Sequence, residues 1–275
     1  MDATNLGAEL VELHDRPRTV PQFVARYPGL TPETGYAASR KLHAHRLSLG
    51  WKPVGRKIGF TNRTIWERYG VYEPIWGTVY DRTVIYSQDN KARVPLAGLV
   101  QPRIEPEICF GLKAKPPTTP DALSLYARDA HALLGCIEWI AHSVEIVQCH
   151  HPEWKLQLPD STADNGLHGR LIVGTTFPVG KFPDLADKLP KLRVELFREK
   201  TRVDEGVGAN VLDSPLLALS FLIQLLAKQP DSPPLSAGEI ISTGTLTDAH
   251  PVVAGETWRT AFSGIDLPGL EILFA

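Results

Sequence analysis

Glu105 and Glu107 stand two residues apart in the run Arg103-Ile104-Glu105-Pro106-Glu107-Ile108-Cys109-Phe110. Side chains alternate faces along a strand, so both carboxylates leave one face, roughly 7 Å apart along the chain. Ile104, Ile108 and Phe110 turn the other way. Two like charges on one face of an apolar strand are unfavourable unless something positive lies between them. A divalent cation that prefers oxygen ligands, Mg²⁺ or Mn²⁺, answers that need and leaves positions for water or substrate. A solvated edge strand, which Pro106 would tolerate, answers it equally well.

Glu145, inside the β-branched run Val144-Glu145-Ile146-Val147, is a third carboxylate that needs a partner if buried. Glu138 competes with it, or simply ends a helix without chemistry. Lys57 lies between Gly55 and Gly59 in a strand-like segment, 53–61. There a lysine can clamp an anion or donate a proton; the plain alternative is a surface lysine on a glycine-flanked turn. Other patterns carry less. Gly206-Val207-Gly208 begins like a dinucleotide loop but lacks its third glycine. His150 and His151 are adjacent, so an extended chain points them apart. Cys149 beside His150 lacks the usual geometry of a thiol–imidazole pair. There is no HExxH, P-loop or GxSxG.

These side chains need a scaffold, and the sequence outlines one. Thr31-Pro32, Thr119-Pro120 and Ser214-Pro215 each place a capping hydroxyl before a proline suited to the first helical position. They predict helices over 32–49, 120–134 and 215–228. The last is apolar nearly all round and is expected to be buried. Strands are expected at 104–110, 144–147, 171–173, 192–197, 240–242, 258–262 and 271–274. Short strands outnumber helices after about residue 75, which points to α+β with a curled or two-layer sheet. A helical amino-terminal region, 1–50, precedes a β-rich catalytic body, 51–275.

The 275 residues include 29 Lys+Arg and 31 Asp+Glu, for a net charge of −2, with 43% apolar residues. That is ordinary globular usage, with no basic footprint for nucleic acid and no run fit to span a membrane. The amino end lacks the pattern of a secretory signal, and three cysteines without a CxxC suit a reducing, cytoplasmic setting.

In order along the chain, GRKIGFT (55–61), GVYEPIWG (70–77), IEPEI (104–108), EIV (145–147), WK (154–155), ADN (163–165), GANVL (208–212) and STGTLT (242–247) resemble the 2-keto-4-pentenoate hydratase family of the fumarylacetoacetate hydrolase superfamily. The resemblance implies a mixed, curled β-sheet roll of the fumarylacetoacetate hydrolase type. It implies Mg²⁺ or Mn²⁺ held by Glu105, Glu107 and Glu145, with Glu145 preferred to Glu138 because Trp-Lys and Ala-Asp-Asn follow it. Lys57 and Asp81 would assist proton transfer or positioning. Thr245 and the backbone near Leu167 would hold the substrate carboxylate. His168 is a further candidate acid or base, with a structural histidine beside Gly169 as its alternative. The implied reaction adds water to a 2-hydroxy-2,4-dienoate, through its 2-oxo-enoate tautomer, to give a 4-hydroxy-2-oxo acid in aromatic catabolism. A homo-oligomer acting on a small molecule is expected.

Two segments depart from the family pattern. Gln148, Cys149 and His150 replace the usual Asp-Ser-Arg, and Gly166, Leu167 and His168 replace a small Ala-Ser pair, both where substrate is expected. Decarboxylation of an oxalocrotonate-type acid, hydrolysis of an acylpyruvate and a non-catalytic ligand-binding role are the alternatives. The hydrolase reading would need a lid histidine and glutamate. His43 and His45 are there, without a clear His-x-x-Glu.

Overall fold

The computed structural model describes residues 3–63, 66–69 and 71–275. Gly70, the first residue of one family-like segment, lies outside them. The helices are α1 (Ala3–Asp15), α2 (Phe23–Arg26), α3 (Pro32–Ser48), α4 (Trp66–Tyr69), α5 (Pro120–Arg128), α6 (Leu158–Ala163), α7 (Leu185–Lys188) and α8 (Pro215–Ala227). The strands that carry the site are β1 (Pro53–Gly59), β2 (Ile75–Tyr80), β3 (Val84–Tyr86), β4 (Lys91–Val94), β5 (Arg103–Leu112), β6 (Ile137–Val147), β7 (His168–Val173) and β8 (Phe177–Pro178). They are followed by β9 (Arg193–Arg198), β10 (Thr201–Val207), β11 (Ile240–Thr245), β12 (His250–Pro251), β13 (Thr257–Ser263) and β14 (Glu271–Phe274).

A mixed, curled sheet runs in the order β2-β1-β11-β5-β6-β7-β3, with β12 added to β5 and β8 to β6. A smaller sheet, β10-β9-β13-β14-β4, packs against part of it. Period-two burial decides which face does what. Ile104, Val144, Ile146 and Ile172 meet Leu196, Trp258, Ile272 and Phe274 of the smaller sheet. Further along the same face, Ile108, Phe110 and Ile140 pack on Leu216, Leu219 and Leu222 of α8. The opposite face carries the odd-numbered residues of β5: Cys109 packs with Ala141, Leu171 and Val173 in a small apolar cluster, and the stretch with Glu105 and Glu107 is left for chemistry.

The three proline-led helices form with their expected caps. Thr31, Thr119 and Ser214 accept from the amides of Thr34, Ala122 and Leu216. Two of the three end within a residue of expectation. The middle one breaks early: Asp129 turns extended (φ −141°), and its carboxylate caps a following 3-10 segment, Ala130–Cys136. Most of the apolar surface of α8 is spent inside this chain, while Leu217, Phe221 and Leu225 stay half-buried along one side. β5 is an interior strand, not an edge. Pro106 is tolerated because its carbonyl accepts from Leu246 N (2.8 Å), which puts its missing N–H on the side where β11 gives way to β12. Helix α1, not foreseen, buries Leu6, Leu10 and Leu13 against Ala38, Leu42 and Ala163. The amino-terminal helices therefore share a core with α6 of the body. Among the described residues, no helix is long and apolar enough to cross a membrane. Cys109, Cys136 and Cys149 are free and buried.

One polar anchor fastens α1 to the body. His14 Nε2 donates to Asp164 Oδ1 (2.8 Å), His150 Nδ1 donates to Asp164 Oδ2 (2.7 Å), and Arg46 donates to His14 Nδ1 (3.0 Å). Burial pushes His14 down to about 4, with the Arg46 charge adding to it against Asp164. Its folded pKa lies below its unfolded one, so the unfolded chain takes up the proton first as pH falls. Stability should drop between pH 6.5 and 4, by about 3 kcal/mol from this group. Urea unfolding across that range checks this, and His14→Asn should flatten the pH dependence.

Candidate metal centre

Strand register builds the cluster. Glu105 of β5 lies directly opposite Glu145 of β6, and Glu107 follows two residues on, paired with Thr245 of β11. Ligand oxygens of the three all lie within 4.8 Å of one another. Like charges directly opposite on a ladder repel, and Glu107 and Glu145 are fully buried. Lys57 of β1 supplies one counter-charge: its Nζ sits 3.1 Å from Glu145 Oε2 and donates to Gly166 O at 3.0 Å.

The surroundings hold each oxygen in place. Ser242 Oγ and Gly244 N both donate to Glu107 Oε2. Gly244 must be glycine: its φ is +106°, and a Cβ there would collide with the Thr61 side chain. His168 Nδ1 donates to Glu145 Oε1 (2.8 Å), while Nε2 meets the Thr83 hydroxyl (2.8 Å). Gly166 turns left-handed (φ +62°) to aim its carbonyl at Lys57.

Electrostatics show what the cluster would accept. Burial pushes Glu105 up to about 7, with Lys57 pulling the other way and Glu145 adding to the rise. Burial, then Glu145 and Glu105, holds Glu107 well above the carboxylate range. Lys57 resists its own burial because Glu145, Glu105 and Glu107 face it, and its pKa rises. Three carboxylates and one ammonium leave a net charge of −2 when all are ionised. Glu107 Oε1 is buried and accepts no hydrogen bond among the described residues. An all-oxygen donor set, a double negative charge and an orphaned carboxylate oxygen fit a hard divalent cation.

An open pocket of about 780 Å³, counting solvent at its mouth, lies over Glu105 and Lys57. Leu167 and Thr245 line it, but differently from expectation. The Leu167 amide is already donated to Asp164 O (2.9 Å), so only its side chain faces the pocket. The Thr245 hydroxyl donates to Thr247 O (2.9 Å). The free hydroxyl is that of Thr61: buried, pocket-lining and without a partner among the described residues. Local sequence held no signal for it beyond its place in GRKIGFT.

Two other expectations are corrected. Asp81 lies outside the pocket, exposed in the turn after β2, where its carboxylate accepts from the amides of Lys52 and Arg82 (both 2.9 Å). A turn-capping acid there cannot reach the cluster. His168 does not line the pocket either; with both ring nitrogens engaged it positions Glu145. Glu138 is exposed at the far end of β6. Gln148, Cys149 and His150 do not contact the pocket. Gln148 accepts from Val100 N, Cys149 Sγ from His151 N, and His150 holds Asp164. His43 bonds the Tyr80 hydroxyl and His45 faces Asp15, so neither forms a catalytic lid over the cluster.

No family model matches the chain. Curated relatives do. A 2-hydroxyhexa-2,4-dienoate hydratase of Comamonas testosteroni is 28% identical over 259 residues, 94% of this chain and 93% of the relative. A 4-oxalocrotonate decarboxylase of a Pseudomonas species is 32% identical over 222 residues, 80% of this chain and 78% of the relative. The solved 4-oxalocrotonate decarboxylase from Pseudomonas putida G7, complexed with magnesium and adipate, superposes with a TM-score of 0.87 at 24% identity, covering 99% of this chain and 97% of that one. A fumarylpyruvate hydrolase from Pseudomonas aeruginosa follows more distantly, TM-score 0.57 at 11% identity over 81% of this chain and 89% of its own. The chain belongs to the 2-keto-4-pentenoate hydratase family, with the fumarylacetoacetate hydrolase fold.

Replacing Glu107 by Gln removes a carboxyl group whose ionised form burial and its acidic neighbours disfavour in the metal-free protein. The metal-free variant should match or exceed wild type in melting temperature. Magnesium affinity by calorimetry should fall about 100-fold or more, and the stabilisation that metal brings should vanish.

Proposed function

We propose that the chain is a metal-dependent hydro-lyase that converts a 2-hydroxy-2,4-dienoate to a 4-hydroxy-2-oxo acid. The convergence of Glu105, Glu107 and Glu145 with Lys57, beneath a pocket that Glu105 and Lys57 line, carries this reading. Glu105, Glu107 and Glu145 would hold Mg²⁺ or Mn²⁺, which supplies positive charge to the substrate's carboxylate and 2-oxygen.

The chain's own groups account for the rest. Lys57, fixed by Glu145 and Gly166, keeps a positive charge beside an incoming anion in a buried setting where charge acts strongly. In the reaction the 2-hydroxyl loses its proton and C5 gains one, giving the 2-oxo-3-enoate. Water then adds its hydroxyl to C4 and its proton to C3. Lys57 is the ammonium placed to hold a proton near the 2-oxygen. The unpartnered Thr61 hydroxyl is placed to orient the water or the carboxylate. His168 keeps Glu145 aimed at the cluster. The enzyme is proposed to act in the cytoplasm, as a homo-oligomer, in aromatic catabolism.

A second reading, decarboxylation of a 2-oxo diacid, is favoured by the 32% identical relative. Product analysis separates the two. Magnesium-loaded protein given 2-hydroxypenta-2,4-dienoate should form 4-hydroxy-2-oxopentanoate. Release of CO₂ from 4-oxalocrotonate with no hydration of either acid would select the second reading, and no turnover of either would remove both. Lys57→Met should lower kcat by about 100-fold or more while leaving the fold intact.

A further inference from the structure

Arg103 is the feature of the pocket that water addition to a simple dienoate leaves unused. It sits two residues before Glu105 on β5, on the same face, and it lines the pocket. Two residues along a strand span roughly 7 Å, about the end-to-end length of a six-carbon chain. Among the described residues its guanidinium makes no ion pair and no hydrogen bond. Its contact is the Trp154 ring, whose centroid lies 4.4 Å from Cζ.

That aromatic shelf is built at a cost. Glu153 and Trp154 are consecutive non-glycine residues with positive φ, +58° and +59°, and Gln101 is another at +48°. Gln101 locks the arrangement. Its carbonyl accepts from Trp154 Nε1 (3.0 Å), its Oε1 from Glu153 N (3.0 Å), and its Nε2 donates to the carbonyls of Cys149 and His151. The buried indole therefore pins the guanidinium plane and leaves its N–H fork unspent. A planar fork with free donors is suited to a carboxylate. Asp248 lines the same mouth but is exposed to solvent, which screens it.

We infer that Arg103, stacked on Trp154, is a specificity residue that pairs with a second carboxylate at the far end of the substrate, so that the preferred substrate is a 2-oxo or 2-hydroxy-dienoic diacid about six carbons long. The inference rests on the proposed function, because it takes the carboxylate cluster as the end that holds the 2-oxo acid. It concerns the far end of the same pocket and applies whether that diacid gains water or loses CO₂.

Two unreactive probes test it by calorimetry in the presence of magnesium: 2-oxoadipate, with a carboxylate at C6, and 2-oxohexanoate, with a methyl group there. Wild type should bind 2-oxoadipate roughly tenfold or more tighter. In Arg103→Gln the ratio should fall to near one, with most of the change on 2-oxoadipate, and Arg103→Lys should restore part of the preference. Equal affinities in wild type, or a preference that survives in Arg103→Gln, would overturn the inference while leaving the metal-centre reading in place. Failure of both keto acids to bind wild type would overturn the two together. Circular dichroism of Arg103→Gln, with retained binding of 2-oxohexanoate, separates lost pairing from lost folding.

Discussion

A buried double negative charge organises this protein. Glu105 and Glu145 face each other across β5 and β6, and Glu107 comes in beside them. No arrangement of three acids and one lysine is neutral while all are ionised. The protein has nevertheless arranged its neighbours to preserve those carboxylates. Ser242, Gly244 and His168 all spend hydrogen bonds on fixing their oxygens. Lys57 is brought from another strand to offset one charge. That pattern makes sense if a doubly charged ion completes the set, and little sense in a fold selected for stability alone.

The amino-terminal helices belong to the same design. Asp164, clasped by His14 and His150, begins the turn that runs through Asn165, Gly166 and Leu167, all at positive φ. Burial works against the Asp164 charge, but His150 and His14 outweigh it and hold the carboxyl far below its usual range. The turn passes the restraint to Lys57 through the Gly166 carbonyl and to β2 through the Asn165–Thr78 pair. Residues at 148–150 that depart from the family pattern thus act behind the pocket wall, in its support.

Much of this was legible along the chain, and the misses have physical causes. The Glu-x-Glu face followed from strand alternation, and three helix starts followed from hydroxyl–proline pairs. Glu145 could not be separated from Glu138 locally, because the choice depends on which residue pairs with Glu105 across the ladder. Asp81 was misplaced because spacing after a glycine motif does not say whether a carboxylate turns inward or caps its own turn. The hydroxyl of Thr245 is spent on the Thr247 carbonyl, a bond that no local pattern announces, and the free one at Thr61 gives no local sign either. Helix α1 was missed although Leu6, Leu10 and Leu13 recur at helical spacing, since no hydroxyl–proline pair announced it. Arg103 carried a readable signal, its position two residues before Glu105, but its worth appears only with Trp154 beneath it.

Anomalous diffraction from crystals of this protein soaked in manganese addresses the central claim most directly. The account predicts one strong peak bonded to an oxygen from each of Glu105, Glu107 and Glu145, at roughly 2.2 Å. A peak elsewhere on the molecule, with those side chains left in hydrogen bonds to one another, would contradict it.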